Sequence, residues 1–203
     1  MIDYAVNMHA SKDHRSRKER SAERRAELLS VGKRVFASRP YDAVSTEDLA
    51  SEAGISVGLL YHYFGDKRGF YVATLRTAAD ELLAVVDFRG ASLIEGAASL
   101  FERFMDFVER HPAMFRGILR GGVGADAEVY AIAAAVRQTV IERVLRAAGR
   151  AGARSPEEQL AMHAWLGSVE AAALFFIDGG ASRDAVIQLL TSTLPPFLFA
   201  ELA

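Results

Sequence analysis

Within the stretch Val44–Lys67, VSTEDLASEAGISVGLLYHYFGDK, the start and stop signals for two short helices lie so close together that they define a tight helical corner. Ser45 is a good N-cap, and Asp48 three residues on completes a capping box. Val44 and Leu49 on either side form a hydrophobic staple. Leu49 and Ala53 share one face of the first helix, and Gly54 can take the left-handed conformation that stops it. Ile55 plugs the turn and Ser56 caps a second helix, on which Leu60 and Phe64, one turn apart, point back at the first. Small residues at Ala50, Ala53 and Gly54 allow the two helices to cross steeply. This pattern is that of a helix-turn-helix, whose second helix enters a DNA major groove, although an ordinary corner of a helical bundle has the same outline.

The surface of the second helix separates the two readings. With Leu60 and Phe64 turned inward, Val57, Gly58, Leu59, Tyr61, His62 and Tyr63 crowd the rest of an eight-residue helix, too apolar and aromatic for a free surface. Lys67 opens the next helix. Aromatic hydroxyls, a histidine and a lysine around a glycine that permits close approach suit a phosphate-lined groove.

Charge follows the same division. Residues 1–70 carry 12 Lys/Arg against 10 Asp/Glu, whereas residues 71–203 carry 12 against 16. The net charge of −2 therefore hides a basic end, concentrated in Lys12–Arg25, beside the helix-turn-helix, where phosphate attraction requires it.

The segment STEDLASEAGISVGLLYHYFGDK closely resembles the DNA-binding signature of tetracycline-repressor (TetR) family regulators, and the likeness covers roughly residues 20–70. It implies that Thr46, Tyr61 and Lys67 contact phosphate, Lys67 with the helix N-terminus behind it. It also implies that Ser56, Val57, Gly58, Leu59, His62 and Tyr63 lie against bases or adjacent backbone, with one alternative for His62 and Tyr63, that one of them packs on the first helix. Val57 and Leu59 cannot hydrogen-bond through their side chains, and Glu47 is acidic where some relatives carry a basic reader. Few direct base hydrogen bonds are therefore expected.

The remainder reads as all-α. Residues 1–19 form a basic flexible arm, residues 20–66 the DNA-binding domain, and residues 67–203 a helical effector-binding and dimerisation domain. A first helix runs from about Arg20 to Ser38, and Pro40 ends it. A fourth, capped by Asp66, runs to about Phe88 and links the domains, as in the family. Breaks at Arg89-Gly90 and Gly121–Gly124 separate further helices over Leu93–Arg110, up to about Arg120, and Ala125–Ala148. Ser155-Pro156-Glu157-Glu158 is a clear start signal for a helix to Ile177, apolar around much of its circumference, and Ser182 starts a last helix ending before Pro195.

One short recognition helix offers little affinity alone, so a homodimer on a near-palindromic double-stranded operator is expected. The last two helices are the expected interface, through Leu166, Val169, Ala173, Val186, Leu190 and Leu194. An effector cavity is expected among Phe104, Met105, Phe115, Tyr130, Met162, Trp165 and Phe176, for a hydrophobic or aromatic small molecule. His163 and Glu170 either orient its polar group or lie exposed or paired across the dimer.

No cysteine is present, which excludes disulfides and Cys-based zinc or nucleophile chemistry. No carboxylate pair, metal-ligand cluster, G-x-S-x-G motif or phosphate-cradling glycine loop supports an enzyme, and no cofactor is expected. Without an apolar leader, and with a longest apolar run of only Ala171–Ile177, the chain reads as cytoplasmic and nucleoid-associated, with no membrane partner. A ligand-responsive regulator, most simply a repressor, is the expected function; a DNA-architectural or scaffold protein without effector is the alternative.

Overall fold

Residue by residue, the N-terminal half folds around one glycine-permitted crossing. A computed structural model describes residues 16–87, 93–120, 126–150, 152 and 154–199. Helix α1 (Arg17–Ser38) lays Leu28, Gly32, Val35 and Phe36 against α4 (Lys67–Val85). A Cβ at Gly32 would sit 2.5 Å from Thr74 Oγ1 and 2.8 Å from Phe70 Cζ, so glycine alone allows the two helices to touch. A short 3-10 helix (Tyr41–Ala43), α2 (Thr46–Glu52) and α3 (Val57–Phe64) close the far side.

Helix α1 starts at Arg17, three residues before the sequence-based start. Ser16 Oγ accepts from the Glu19 N–H, and the Glu19 carboxylate accepts from the Ser16 N–H. This capping box precedes the first apolar repeat by a dozen residues, so periodicity alone misses it. The basic arm is described only from residue 16. Helix α4 ends at Val85, with Val86 as its C-cap, three residues before the expected Phe88, and the Arg89-Gly90 and Gly121–Gly124 breaks lie outside the described residues.

Helices α5 (Leu93–Arg110), α6 (Pro112–Arg120), α7 (Ala127–Ala147), α8 (Pro156–Ile177) and α9 (Arg183–Ser192) form the second half, and a 3-10 turn (Pro196–Phe199) follows. Among the described residues the elements are all helical, as the sequence predicts. The expected Ala125–Ala148 helix is shorter because Asp126 is its N-cap, accepting from the N–H groups of Glu128 and Val129. Both halves share one buried cluster, from Leu28 to Leu198, and α4 is the element common to both. Its first turns pack Phe70 and Tyr71 on Phe36, while Leu82 near its end faces the second half.

Arginines hold this second half at its helix ends. A helix leaves its last carbonyls without internal partners. Arg143 of α7 donates to the carbonyls of Leu83 and Val86, and Arg103 of α5 donates to those of Val85 and Asp87, closing the end of α4. Arg116 of α6 reaches the Ile177 carbonyl at 2.7 Å and Asp178 at 3.0 Å, closing α8. Much of the basic charge beyond residue 70 is therefore engaged within the subunit rather than offered to a polyanion.

Candidate functional site

The second helix of the corner is supported from beneath and open above. Gly54 has φ +62°, the left-handed turn conformation the sequence calls for, and Ser45 and Asp48 make the expected capping box. Bonds from the Ser45 N–H and the Arg39 guanidinium hold the Asp48 carboxyl below the ordinary carboxylate range. Leu49 and Leu60 are fully buried, and Phe64 packs edge-on against Phe70 with ring centroids 4.8 Å apart. Above them Gly58, Leu59, Tyr61 and His62 are exposed, and Val57 is half-buried. The Ser56 hydroxyl accepts from the Leu59 N–H, so it fixes the first turn of α3.

Two of the proposed contact residues are held by neighbours. Lys67 is half-buried with its ammonium 4.1 Å from the centre of the Tyr41 ring, a cation–π seat that aims it from the first turn of α4. Tyr41 in turn lies 4.9 Å from Tyr71. Tyr63 is half-buried and packs against the core cluster, with its ring 5.4 Å from that of His62, whereas His62 is exposed. The packing alternative thus applies to Tyr63 and not to His62. Thr46 is half-buried at the start of α2. The Tyr41 seat was missed in the sequence because an Arg-Pro-Tyr-Asp loop carries no periodicity.

In the second half the helices enclose two apolar lobes. One has a cavity volume of about 70 Å³ and is lined by Leu100, Phe101, Phe104, Val140, Val144, Trp165 and Val169, among others. The other, also of about 70 Å³, is lined by Ala78, Phe107, His111, Met114, Ile118 and Ile132, among others. Leu82, Phe115, Val136, Arg137 and Glu170 line both. At this shared wall the Arg137 guanidinium grips the Glu170 carboxylate with two bonds, of 2.7 and 3.0 Å.

Comparison with known proteins agrees with this geometry. Residues 28–74 match the model for bacterial regulatory proteins of the tetR family, and residues 95–194 match that for a tetracyclin repressor-like C-terminal domain. The crystal structure of a tetR-family transcriptional regulator from Streptomyces coelicolor superposes with a TM-score of 0.79 at 30% identity, covering 89% of this chain and 82% of that one. The chain belongs to the TetR family. Among curated relatives, the HTH-type transcriptional activator FasR of Mycolicibacterium smegmatis is 30% identical over 112 residues, 54% of this chain and 51% of its own. The HTH-type transcriptional repressor KstR2 of Mycobacterium tuberculosis is 36% identical over 94 residues, 44% of this chain and 46% of its own. The chain thus spans about half the length of the curated relatives it matches. Both repressors and activators occur among these relatives, and the protein is a TetR-family transcriptional regulator rather than an enzyme.

The cavity residues of this TetR-family regulator divide. Phe104, Phe115 and Trp165 line the first lobe. Met105 and Met162 are fully buried in the core but line neither lobe, nor does half-buried Phe176. Tyr130 is 72% exposed, on the outer side of α7, and is withdrawn as a lining residue. Glu170 faces the cavity, paired within its own subunit, while His163 is exposed. Arg137 and His111 went unrecognised because a charged residue on an amphipathic helix, or before a proline, normally reads as solvated.

The expected dimer residues need correction. Leu166, Val169, Ala173, Val186 and Leu190 are buried inside the subunit, and Leu194 is half-buried. The outer side of α8 is instead Leu160, Ala164, Gly167, Ala171 and Phe175, and α9 adds Leu189; Leu160, Phe175 and Leu189 are 71%, 59% and 51% exposed. An all-round apolar helix has no moment to tell its inner from its outer face, which is why the pattern misassigned them. The same composition makes α8, at 22 residues and mean hydropathy 1.5, apolar enough to cross a membrane. The Ala171–Ile177 run alone does not reveal this, because small and polar residues interrupt the apolar ones along the rest of α8. The buried Met162–Ala173 face, the Ser155 cap and the Arg137–Glu170 pair make it a core helix with one uncovered side.

Proposed function

We propose that this regulator binds a near-palindromic operator as a homodimer, one α3 from each subunit lying in successive major grooves, and that a small apolar molecule in the two-lobed cavity releases it. The carrying observation is the exposed Gly58–Leu59–Tyr61–His62 surface on a helix locked from below by Leu60 and Phe64. Tyr61, Lys67 and Thr46 serve phosphates, and Val57, Leu59 and His62 lie nearest base edges, so methyl contacts and groove shape contribute more than hydrogen-bonded readout. Tyr63 chiefly supports the helix, with its ring edge beside His62.

Two subunits meet through the Leu160–Ala164–Gly167–Ala171–Phe175 stripe of α8 and Leu189 of α9, whose small central residues allow close helix approach. Residues 1–19 act as a basic arm on the backbone, residues 20–66 as the reader, and residues 67–203 as sensor and dimer module; the protein works in the cytoplasm. Helix α4 couples the parts, since Phe70 belongs to the reader's core and Leu82 to the cavity wall. A ligand favouring one setting of α4 changes the separation of the two α3 helices and thereby operator affinity. An apolar, two-lobed cavity has no use in an architectural protein, which favours the regulator. Mobility shift with the duplex upstream of the regulator's own gene tests the reading: a discrete complex of two subunits per palindrome supports it, and equal affinity for any duplex rejects it.

A further inference from the structure

Each cavity lobe is lined by one deeply buried polar side chain that makes no hydrogen bond among the described residues. Trp165, 6% exposed, lines the first lobe, and its indole Nε1–H meets no acceptor among the described residues. His111, 8% exposed, lines the second, and neither ring nitrogen makes a hydrogen bond there. Buried polar groups are nearly always paired, so two orphans on residues that line two adjoining lobes are a pattern to be explained.

Charge around them narrows the chemistry. Glu170 already neutralises Arg137 with two bonds at the shared wall, so no free cation is offered to an acid there. Glu81 Oε2 lies 3.8 Å from His111 Nε2, and its other oxygen is held by Lys33 of α1. Burial lowers the His111 pKa against the opposing pull of Glu81, keeping the ring neutral, with one nitrogen donating and one accepting. An anionic group beside a neutral imidazole and the Glu81 carboxylate is disfavoured.

We propose that the two lobes together bind one elongated, uncharged apolar molecule with an oxygen function at each end, one accepting from the Trp165 indole and the other hydrogen-bonded to His111. This rests on the cavity being the effector site, and it places the reporting end at His111. There a ligand oxygen meets the residue next to Glu81, which Lys33 ties to the DNA-binding half.

Trp165 is the single tryptophan of the chain, so its emission reports occupancy directly. The full chain is titrated with linear diols from octanediol to tetradecanediol and with the matching alkanes, mono-alcohols and dicarboxylates, by emission and by calorimetry. A diol should bind about tenfold more tightly than its mono-alcohol, as expected for one buried hydrogen bond, and more tightly than its dicarboxylate. His111→Phe and Trp165→Phe, the latter followed by calorimetry, should each abolish that advantage, while His111→Gln, which keeps a donor and an acceptor, should retain most of it. The proposal is overturned if diols bind no better than mono-alcohols, if dicarboxylates bind best, if none of these probes binds, or if neither phenylalanine variant alters diol affinity. Mobility shift keeps the two readings apart. A diol that binds as expected but leaves duplex affinity unchanged rejects the effector reading alone; alkanes and diols that bind equally and both release duplex reject the ligand class alone.

Discussion

The helix-turn-helix half and the C-terminal half of this regulator are built on opposite plans. The first encloses a small aromatic and leucine core, Phe36, Leu49, Leu60, Phe70 and Tyr71, with every one of these side chains fully buried, and a glycine crossing that leaves no slack. The second spreads helices around two apolar lobes of about 70 Å³ each and pins helix ends with arginines. In the proposed function the first is a reader, which must present one fixed surface, and the second a sensor, which must yield when a ligand enters. The comparison teaches that the boundary between them is one helix, α4, rather than a linker.

The sharpest way to break this contrast is to cut the same kind of contact in each half. Leu60→Ala should cost about 3 kcal/mol, because the tightly packed reader cannot collapse onto the space left. Val136→Ala, at the half-buried cavity wall, should cost about 1 kcal/mol. Denaturant unfolding measures both, and equal costs would erase the distinction.

Next in size is the uncovered side of α8. Phe175→Glu should leave the subunit folded but monomeric by sedimentation, with duplex affinity down by about a hundredfold or more as the second half-site contact is lost. Leu166→Glu should behave differently and unfold the subunit, since that side chain points into the core. If Phe175→Glu remains dimeric, the interface lies elsewhere.

The smallest effect concerns the strap between the halves. Arg68, in the first turn of α4, holds Asp126 at 2.7 and 2.8 Å at the N-terminus of α7, and with Arg76 also holds Glu128. The Arg68 guanidinium keeps the Asp126 carboxyl down to about 2. A carboxyl depressed in the folded state contributes stability at neutral pH and loses it as pH falls through that value. Asp126→Asn should therefore be slightly less stable than the parent at neutral pH, and the difference should close near pH 2. Acid titration by circular dichroism reads this out, and a pH-independent difference would show that the strap is not electrostatic.

The same contrast governs what the sequence could reveal. The reader was legible nearly residue by residue, because capping, staple, turn glycine and inward pair are local rules spaced within one short segment: Ser45, Val44, Leu49, Gly54, Leu60. The sensor was legible only as helices. Its caps at Ser155 and Ser182 were readable, the one at Asp126 was not, and which face of α8 turns inward depends on neighbours in α5, α6, α7 and α9, well beyond the reach of local rules. Leu166 and Phe175 look alike in sequence, yet one is core and the other surface. Likewise nothing near Arg137 or His111 says that a cavity will form beside it.

The central claim is that the outward side of α3 is the surface that binds the duplex. Fluorescence anisotropy with a labelled duplex from the region upstream of the gene, comparing the parent with Tyr61→Ala, tests it most directly. The account predicts saturable binding by two subunits per duplex and about tenfold weaker binding by the variant at unchanged thermal stability. Parent and variant binding with equal affinity would contradict it.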